Sequence, residues 1–196
     1  MASPFLSHIE KEAIAELPLR AFEGRIVVVD RLHQLASIEP ELRKARVLGF
    51  DTETKPSFKK GAHNQHTVAL LQLATESTAY LFRLHQVGLP PLIREVLSNP
   101  EVIKVGVALS NDFTPLQKLG KFEPSGFIDL QSFSNQFGIE DSGLKKLAAI
   151  VLQIRISKNQ QLSNWEDAHL SEAQQLYAAT DAWVCLAIYQ KLLATR

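Results

Sequence analysis

The sequence predicts an α/β domain of mixed, α+β-like order, in which a mixed central sheet with an N-terminal hairpin meander is flanked by helices. Three observations point there. Strand-like runs fill the first two thirds of the chain and helical periodicity the last third, an order typical of helices laid over a sheet. Two apolar runs are separated only by the polar link around Glu76 and Ser77, which reads as a hairpin and excludes a purely parallel sheet. Finally, 196 residues, 45% hydrophobic and 21% charged, match one globular domain spanning 1–196, long enough to bury a sizeable core.

Taken in order, residues 10–17 read as a short helix closed by Pro18, so 1–23 form a helical extension packed on the domain. RIVVV at 25–29 is β-branched and predicts a strand, followed by a helical stretch over 32–45. Residues 46–53 are the second strand, 67–74 the third and 78–84 the fourth. After Pro90 and Pro91 the segment 92–99 reads as a helix, 102–109 as a fifth strand, 113–119 as a helix and 126–130 as a short sixth strand. From Leu130 onward the pattern is helical, over 131–137, 142–152 and finally 171–194. Ser171 with Gln174 three residues later predicts a capping box for that last helix.

Composition narrows the function classes. The longest apolar runs, VALLQLA and AAIVLQI, fall well short of the roughly 18–20 residues a membrane span needs. Glu10 and Glu12 stand where a signal peptide would be basic and then apolar, and a lone Cys185 permits no internal disulfide. The expectation is a soluble, cytoplasmic protein. Lys and Arg total 21 and so do Asp and Glu, so the chain lacks the basic excess of a protein that wraps nucleic acid by charge alone. Nucleic acid, if bound, is held locally, through metal.

The informative residues are acids on apolar elements. Alternation puts Val47, Gly49, Asp51 and Glu53 on one strand face, where two adjacent carboxylates repel unless a cation or a proton intervenes. In the last helix Tyr177, Asp181, Val184 and Ile188 share one stripe that turns apolar, so Asp181 faces inward with Tyr177 one turn before it. Asp112 follows Ser110 and Asn111 at a helix start, where an acid also suits the helix dipole. Each acid alone has a bland reading, as a solvated strand end, a cleft-edge ion pair or a helix cap. Together Asp51, Glu53, Asp112 and Asp181 form an all-oxygen set suited to Mg²⁺ or Mn²⁺. Two such ions can activate water and stabilise the leaving oxygen of a phosphodiester, and a tyrosine beside them can orient that water.

These residues resemble the DEDDy 3′–5′ exonucleases of the ribonuclease-H-like superfamily, nearest the Werner-syndrome exonuclease domain and more distantly ribonuclease D. FDTET carries Asp51 and Glu53, KVGVALSND ends in Asp112, and LYAATDA carries Tyr177 and Asp181, the tyrosine defining the subtype. The resemblance runs over about 24–193 and includes segments 144–148 and 157–165. It implies removal of nucleotides from a 3′ end using two divalent ions, Mg²⁺ or Mn²⁺, with nucleoside 5′-monophosphates released. Asp51 and Asp181 would hold the ions, Glu53 would ligate beside the attacking water, and Asp112 would bind the second ion through water. Tyr177 would orient the nucleophile, and Lys158 and Thr52 would contact substrate. Ala108 and Gln153 stand where the family often has glycine, which implies local backbone adjustment without loss of chemistry.

Some readings stay open at this level. The partner is a nucleic acid with a free 3′ end, with DNA placed slightly ahead of RNA. A ribonuclease-D-like RNA trimmer, or an inactive binding or interaction module of the same fold, are the alternatives. The loop after the first motif, with Lys55, Lys59, Lys60, His63 and His66, is either a backbone contact at the site mouth or an ordinary solvated loop. Its histidines lack the company a zinc site needs. Trp165 and Cys185 read as packing residues.

Overall fold

The computed structural model describes residues 4–54 and 68–195. Its strands are β1 (Arg25–Val29), β2 (Val47–Thr54), β3 (Val68–Ala74), β4 (Thr78–Arg83), β5 (Ile103–Gly106) and β6 (Phe127–Asp129). They form one sheet in the order β1-β4-β3-β2-β5-β6. The meander is β2–β3–β4, antiparallel throughout, with Thr75 closing the hairpin through its hydroxyl and backbone to Thr78. β1 lies parallel to β4 at one edge, while β5 and β6 extend the other edge in parallel from β2. The sheet is therefore mixed, with β2 at the junction between its antiparallel and parallel parts.

The helices are α1 (Lys11–Glu16), α2 (Leu35–Lys44), α3 (Leu84–Val87), α4 (Pro91–Ser98), α5 (Ser110–Leu119), α6 (Leu130–Asn135), α7 (Leu144–Leu147) and α8 (Glu172–Leu193). One sheet face offers Leu48, Phe50, Leu71 and Phe82 to α2 and α4, whose Leu42 and Ile93 are fully buried. Burial of each such side chain contributes about 1.5–3 kcal/mol relative to exposure. The other face is covered by α8, which crosses β2, β3, β4 and β5. The cover is close because both surfaces are small: Ala74 and Ala79 pack with Ala179 and Ala182, and a Cβ on Gly49 would lie 1.9 Å from the Ala182 carbonyl oxygen. The capping box of Ser171 and Gln174 fixes where α8 starts.

Several elements differ from the sequence reading in extent, and the short helix α3 was not expected. The fifth strand ends at Gly106 rather than running to 109. A Cβ at Gly106 would meet the Phe50 carbonyl at 2.8 Å, and Ala108 turns with φ 56° so that α5 begins at Ser110. The helix expected over 142–152 is α7, which loosens into a π-helical turn (Ala148–Leu152) and stops at Gln153, again with φ 56°.

The segment before β1 is stitched across the molecule. Ile9 N–H donates to Asp141 Oδ2 at 2.9 Å, Leu19 forms a parallel bridge with Arg155, and Phe22 N–H donates to Thr180 Oγ1 at 3.0 Å. No helix among the described residues is long and apolar enough to cross a membrane.

Candidate metal centre

Strand β2 delivers Asp51 and Glu53 to the face that α8 covers, and α8 delivers Asp181 to the same place. The gap left by Gly49 brings the two elements close enough that one oxygen from each of Asp51, Glu53 and Asp181 falls within a 4.8 Å cluster. Glu53 and Asp181 are only 9% and 8% exposed, so the charges are little screened.

Asp112 arrives separately, in the first turn of α5. Its Oδ1 accepts a hydrogen bond from Thr52 Oγ1 at 2.5 Å, so Thr52 orients this acid. Asp112 is outside the three-residue cluster, yet its charge is felt at both Asp51 and Glu53. Tyr177 stands one turn before Asp181 and is 9% exposed. Its ring packs on the fully buried Trp165 at 6.0 Å between centroids, so Trp165 is a packing residue behind the tyrosine. The segment carrying Trp165 is held by Arg83 of β4, whose guanidinium donates to the carbonyls of Ala168 at 2.7 Å and of Asp167.

Burial and mutual repulsion set the protonation of these acids. Loss of hydration, then the charges of Asp181 and Asp112, push Asp51 well above the usual carboxylate range. Burial first, then the charges of Asp51, Asp181 and Asp112, push Glu53 up to about 9. Burial raises Asp112 to about 6 against the Thr52 hydrogen bond, which lowers it. Burial raises Asp181 to about 7, opposed by the Tyr177 hydroxyl and by the charges of Lys145 and Lys158. Burial, then the neighbouring carboxylates, raises the Tyr177 phenol, which stays protonated at neutral pH.

The donor set fits a hard divalent cation. It is all oxygen, and among the described residues Asp181 Oδ1 is buried without a hydrogen-bond partner. A cation among the carboxylates would remove both the orphaned acceptor and the repulsion.

The remaining site residues divide. Lys158 is exposed and borders a cleft of about 330 Å³ together with Tyr177 and Asp181. Lys55, Lys59, Lys60, His63 and His66 lie outside the described residues. The sequence reading assigned no role to Lys145, which borders the same cleft; the signal was a tandem lysine inside an otherwise apolar helix. It also passed over Gln72, a fully buried amide in the apolar strand β3, directly across from Asp51 in the sheet register.

With this geometry in place, comparison with known proteins gives a consistent answer. The sequence model of the 3′-5′ exonuclease family matches residues 26–195. The chain is 32% identical over 195 residues to the bifunctional 3′-5′ exonuclease/ATP-dependent helicase WRN of Mus musculus, covering 94% of this chain and 14% of that protein. It is 31% identical over 201 residues to the exonuclease mut-7 homolog of Homo sapiens, covering 83% and 22% respectively. Among solved structures it is similar to the Nibbler EXO domain of Aedes aegypti, with a TM-score of 0.78, 26% identity and 91% of each chain covered. It shares its fold with Escherichia coli RNase D, at a TM-score of 0.75, 21% identity and coverage of 88% of this chain and 45% of that one. The chain thus spans well under half the length of these curated relatives. It belongs to the 3′-5′ exonuclease family, and its six-stranded mixed sheet with flanking helices is the ribonuclease-H-like arrangement.

Proposed function

We propose that this chain hydrolyses phosphodiester bonds from the 3′ end of a nucleic acid, DNA ahead of RNA, using two divalent ions, Mg²⁺ or Mn²⁺, and releasing nucleoside 5′-monophosphates. The observation that carries the reading is the convergence of Asp51, Glu53 and Asp181 within 4.8 Å, beside Tyr177 and Asp112, in a chain of the 3′-5′ exonuclease family. The order of the sugars is read directly by the assay below.

In this reading Asp51, Glu53 and Asp181 hold the ions, with Asp112 completing the set from α5 in the orientation Thr52 gives it. When bound, divalent ions lower the pKa of water and stabilise charge on the leaving oxygen. The reaction forms a bond from a water oxygen to phosphorus and breaks the bond from phosphorus to the upstream O3′, which departs with a proton. Tyr177 contributes a neutral hydroxyl beside Asp181, fixed by Trp165, that can position the water without titrating near neutral pH. Glu53 lies on the same side of the cluster through its place two residues after Asp51 on β2. Lys158, bordering the cleft at Asp181, supplies a cation for substrate phosphate.

The test uses 5′-labelled DNA and RNA oligonucleotides, single-stranded and with recessed 3′ ends, with Mg²⁺ or Mn²⁺. The expected result is a ladder shortened from the 3′ end and abolished by Asp181→Asn. Tyr177→Phe should lower turnover by about 100-fold, in the range of a lost acid–base or water-positioning group, with Mn²⁺ affinity retained. No ladder on any substrate from the folded protein would overturn the reading.

A further inference from the structure

Two clefts open from Tyr177 and Asp181, and both include Ser157. One, of about 210 Å³, has apolar walls from Leu19, Ala21, Ala173 and Leu176, with Arg20 as its one cation. The other, of about 330 Å³, is bordered by Lys145, Lys146 and Lys158. Lys146 is already committed, with Nζ 2.7 Å from Asp141 Oδ1. Among the described residues neither Lys145 nor Lys158 has an ion-pair partner. They come from different elements, since Leu147 of α7 is buried in the core and leaves Lys145 on the cleft side, while Lys158 follows the strand-like stretch bridged to Leu19. Asp181 borders the same cleft, and once a cation engages that carboxylate the two like charges are left to an incoming anion.

We propose that this basic cleft seats the phosphate immediately 5′ to the scissile one, with Lys145, a residue outside the acidic motifs, anchoring it together with Lys158. The inference rests on the exonuclease reading above, and the chemistry of a 3′ end gives it direction. The terminal nucleotide brings a single phosphate, the scissile one, and that phosphate must lie at the carboxylates. Any second phosphate therefore belongs to the upstream strand. The lysine cleft borders Asp181 and Tyr177 but not Asp51, Glu53 or Asp112, which places the lysine pair to one side of the cluster. A cleft with three lysines just off that centre suits an upstream phosphate, and the apolar-walled cleft does not.

The test is equilibrium binding of a fluorescent single-stranded oligonucleotide in Ca²⁺, with a neutral methylphosphonate replacing one phosphate at a time. At the linkage 5′ to the terminal one, the neutral group should weaken wild-type binding about 100-fold, the worth of one charge-assisted hydrogen bond to each lysine. Lys145→Met should weaken the native oligonucleotide about tenfold and lose nothing more on the neutral one. It should also lower the slope of log affinity against log salt by about 0.7, and Lys145→Arg should restore both. If the two losses instead multiply to about 1,000-fold, or the neutral linkage has no effect on wild type, the seat is overturned. A wild-type protein that shortens no strand in Mn²⁺ overturns the exonuclease reading, and the binding coupling then decides the phosphate seat by itself.

Discussion

Ala108 and Gln153 are the two non-glycine residues among those described with positive φ, each at 56°. In this region a Cβ crowds the following carbonyl at a cost of about 1–2 kcal/mol, which glycine avoids while giving up more chain entropy. Ala108 has only a methyl group to set against that cost. Ala108→Gly should therefore raise stability by about 0.5–1 kcal/mol, or about 1–4 °C in the melting midpoint. Gln153 differs, because its Nε2 donates at 3.0 Å to the carbonyls of both Ala149 and Ile150, which the end of the π-helical turn leaves open. Gln153→Gly forfeits two hydrogen bonds of about 1 kcal/mol each and should give no gain. Thermal melts of the two variants decide the matter; equal shifts would mean that backbone strain is not what separates them. These positions were legible only as departures from a family pattern, since nothing in the residues themselves announces a left-handed turn. Asp51, Glu53 and Asp181 were legible from spacing, because strand alternation and the helical repeat fix a side chain's face.

The contact between β2 and α8 is the element on which the centre depends, and Gly49 sets its spacing. Gly49→Ala puts a carbon 1.9 Å from the Ala182 carbonyl, a distance no side-chain rotation relieves because both partners are backbone-bound. The helix must retreat from the strand, and Asp181 lies one residue before Ala182. The expected outcome is a destabilisation of about 2–3 kcal/mol together with a loss of Mn²⁺ affinity, by chemical denaturation and calorimetry. A destabilised variant that binds Mn²⁺ as wild type does would uncouple the spacing from the site. Alternation placed Gly49 on the right face, but its function needs the helix that approaches it, and that approach is a long-range fact. The same limit hid the pairing of β1 with β4, whose RIVVV run specifies a strand and not a neighbour. It also hid the length of β5, which ends just before Ala108 turns left-handed into α5. Gln72 shows the converse, a polar residue visible in an apolar strand whose meaning appears only beside Asp51.

At the scale of the whole molecule, the four acids tie folding to pH and to metal. Glu53 is raised to about 9, Asp181 to about 7 and Asp112 to about 6, and Asp51 lies well above its ordinary value. An acid with a raised folded-state pKa keeps its proton in the folded chain after the unfolded chain has lost it, so stability falls as pH rises from about 4 toward the folded value. Without metal, the melting midpoint should therefore decline between pH 5 and 8. Lys104 acts in the opposite sense above that window. Burial lowers its ammonium to about 8, although Nζ donates to the carbonyls of Asn99 and Val102, so its contribution to stability rises from about pH 8 to 10.5. Below pH 8 the acids dominate. Divalent cations bind the ionised carboxylates of the folded chain and should raise the midpoint, more at pH 8 than at pH 5, which flattens or reverses the decline. Asp181→Asn removes one carboxylate, and so should raise the metal-free midpoint at pH 8 while shrinking the gain from Mn²⁺. A melt series in EDTA and in Mn²⁺ over pH 5 to 8 reads all of this at once. Parallel declines with and without the ion would mean that the carboxylates gather for a reason other than a cation.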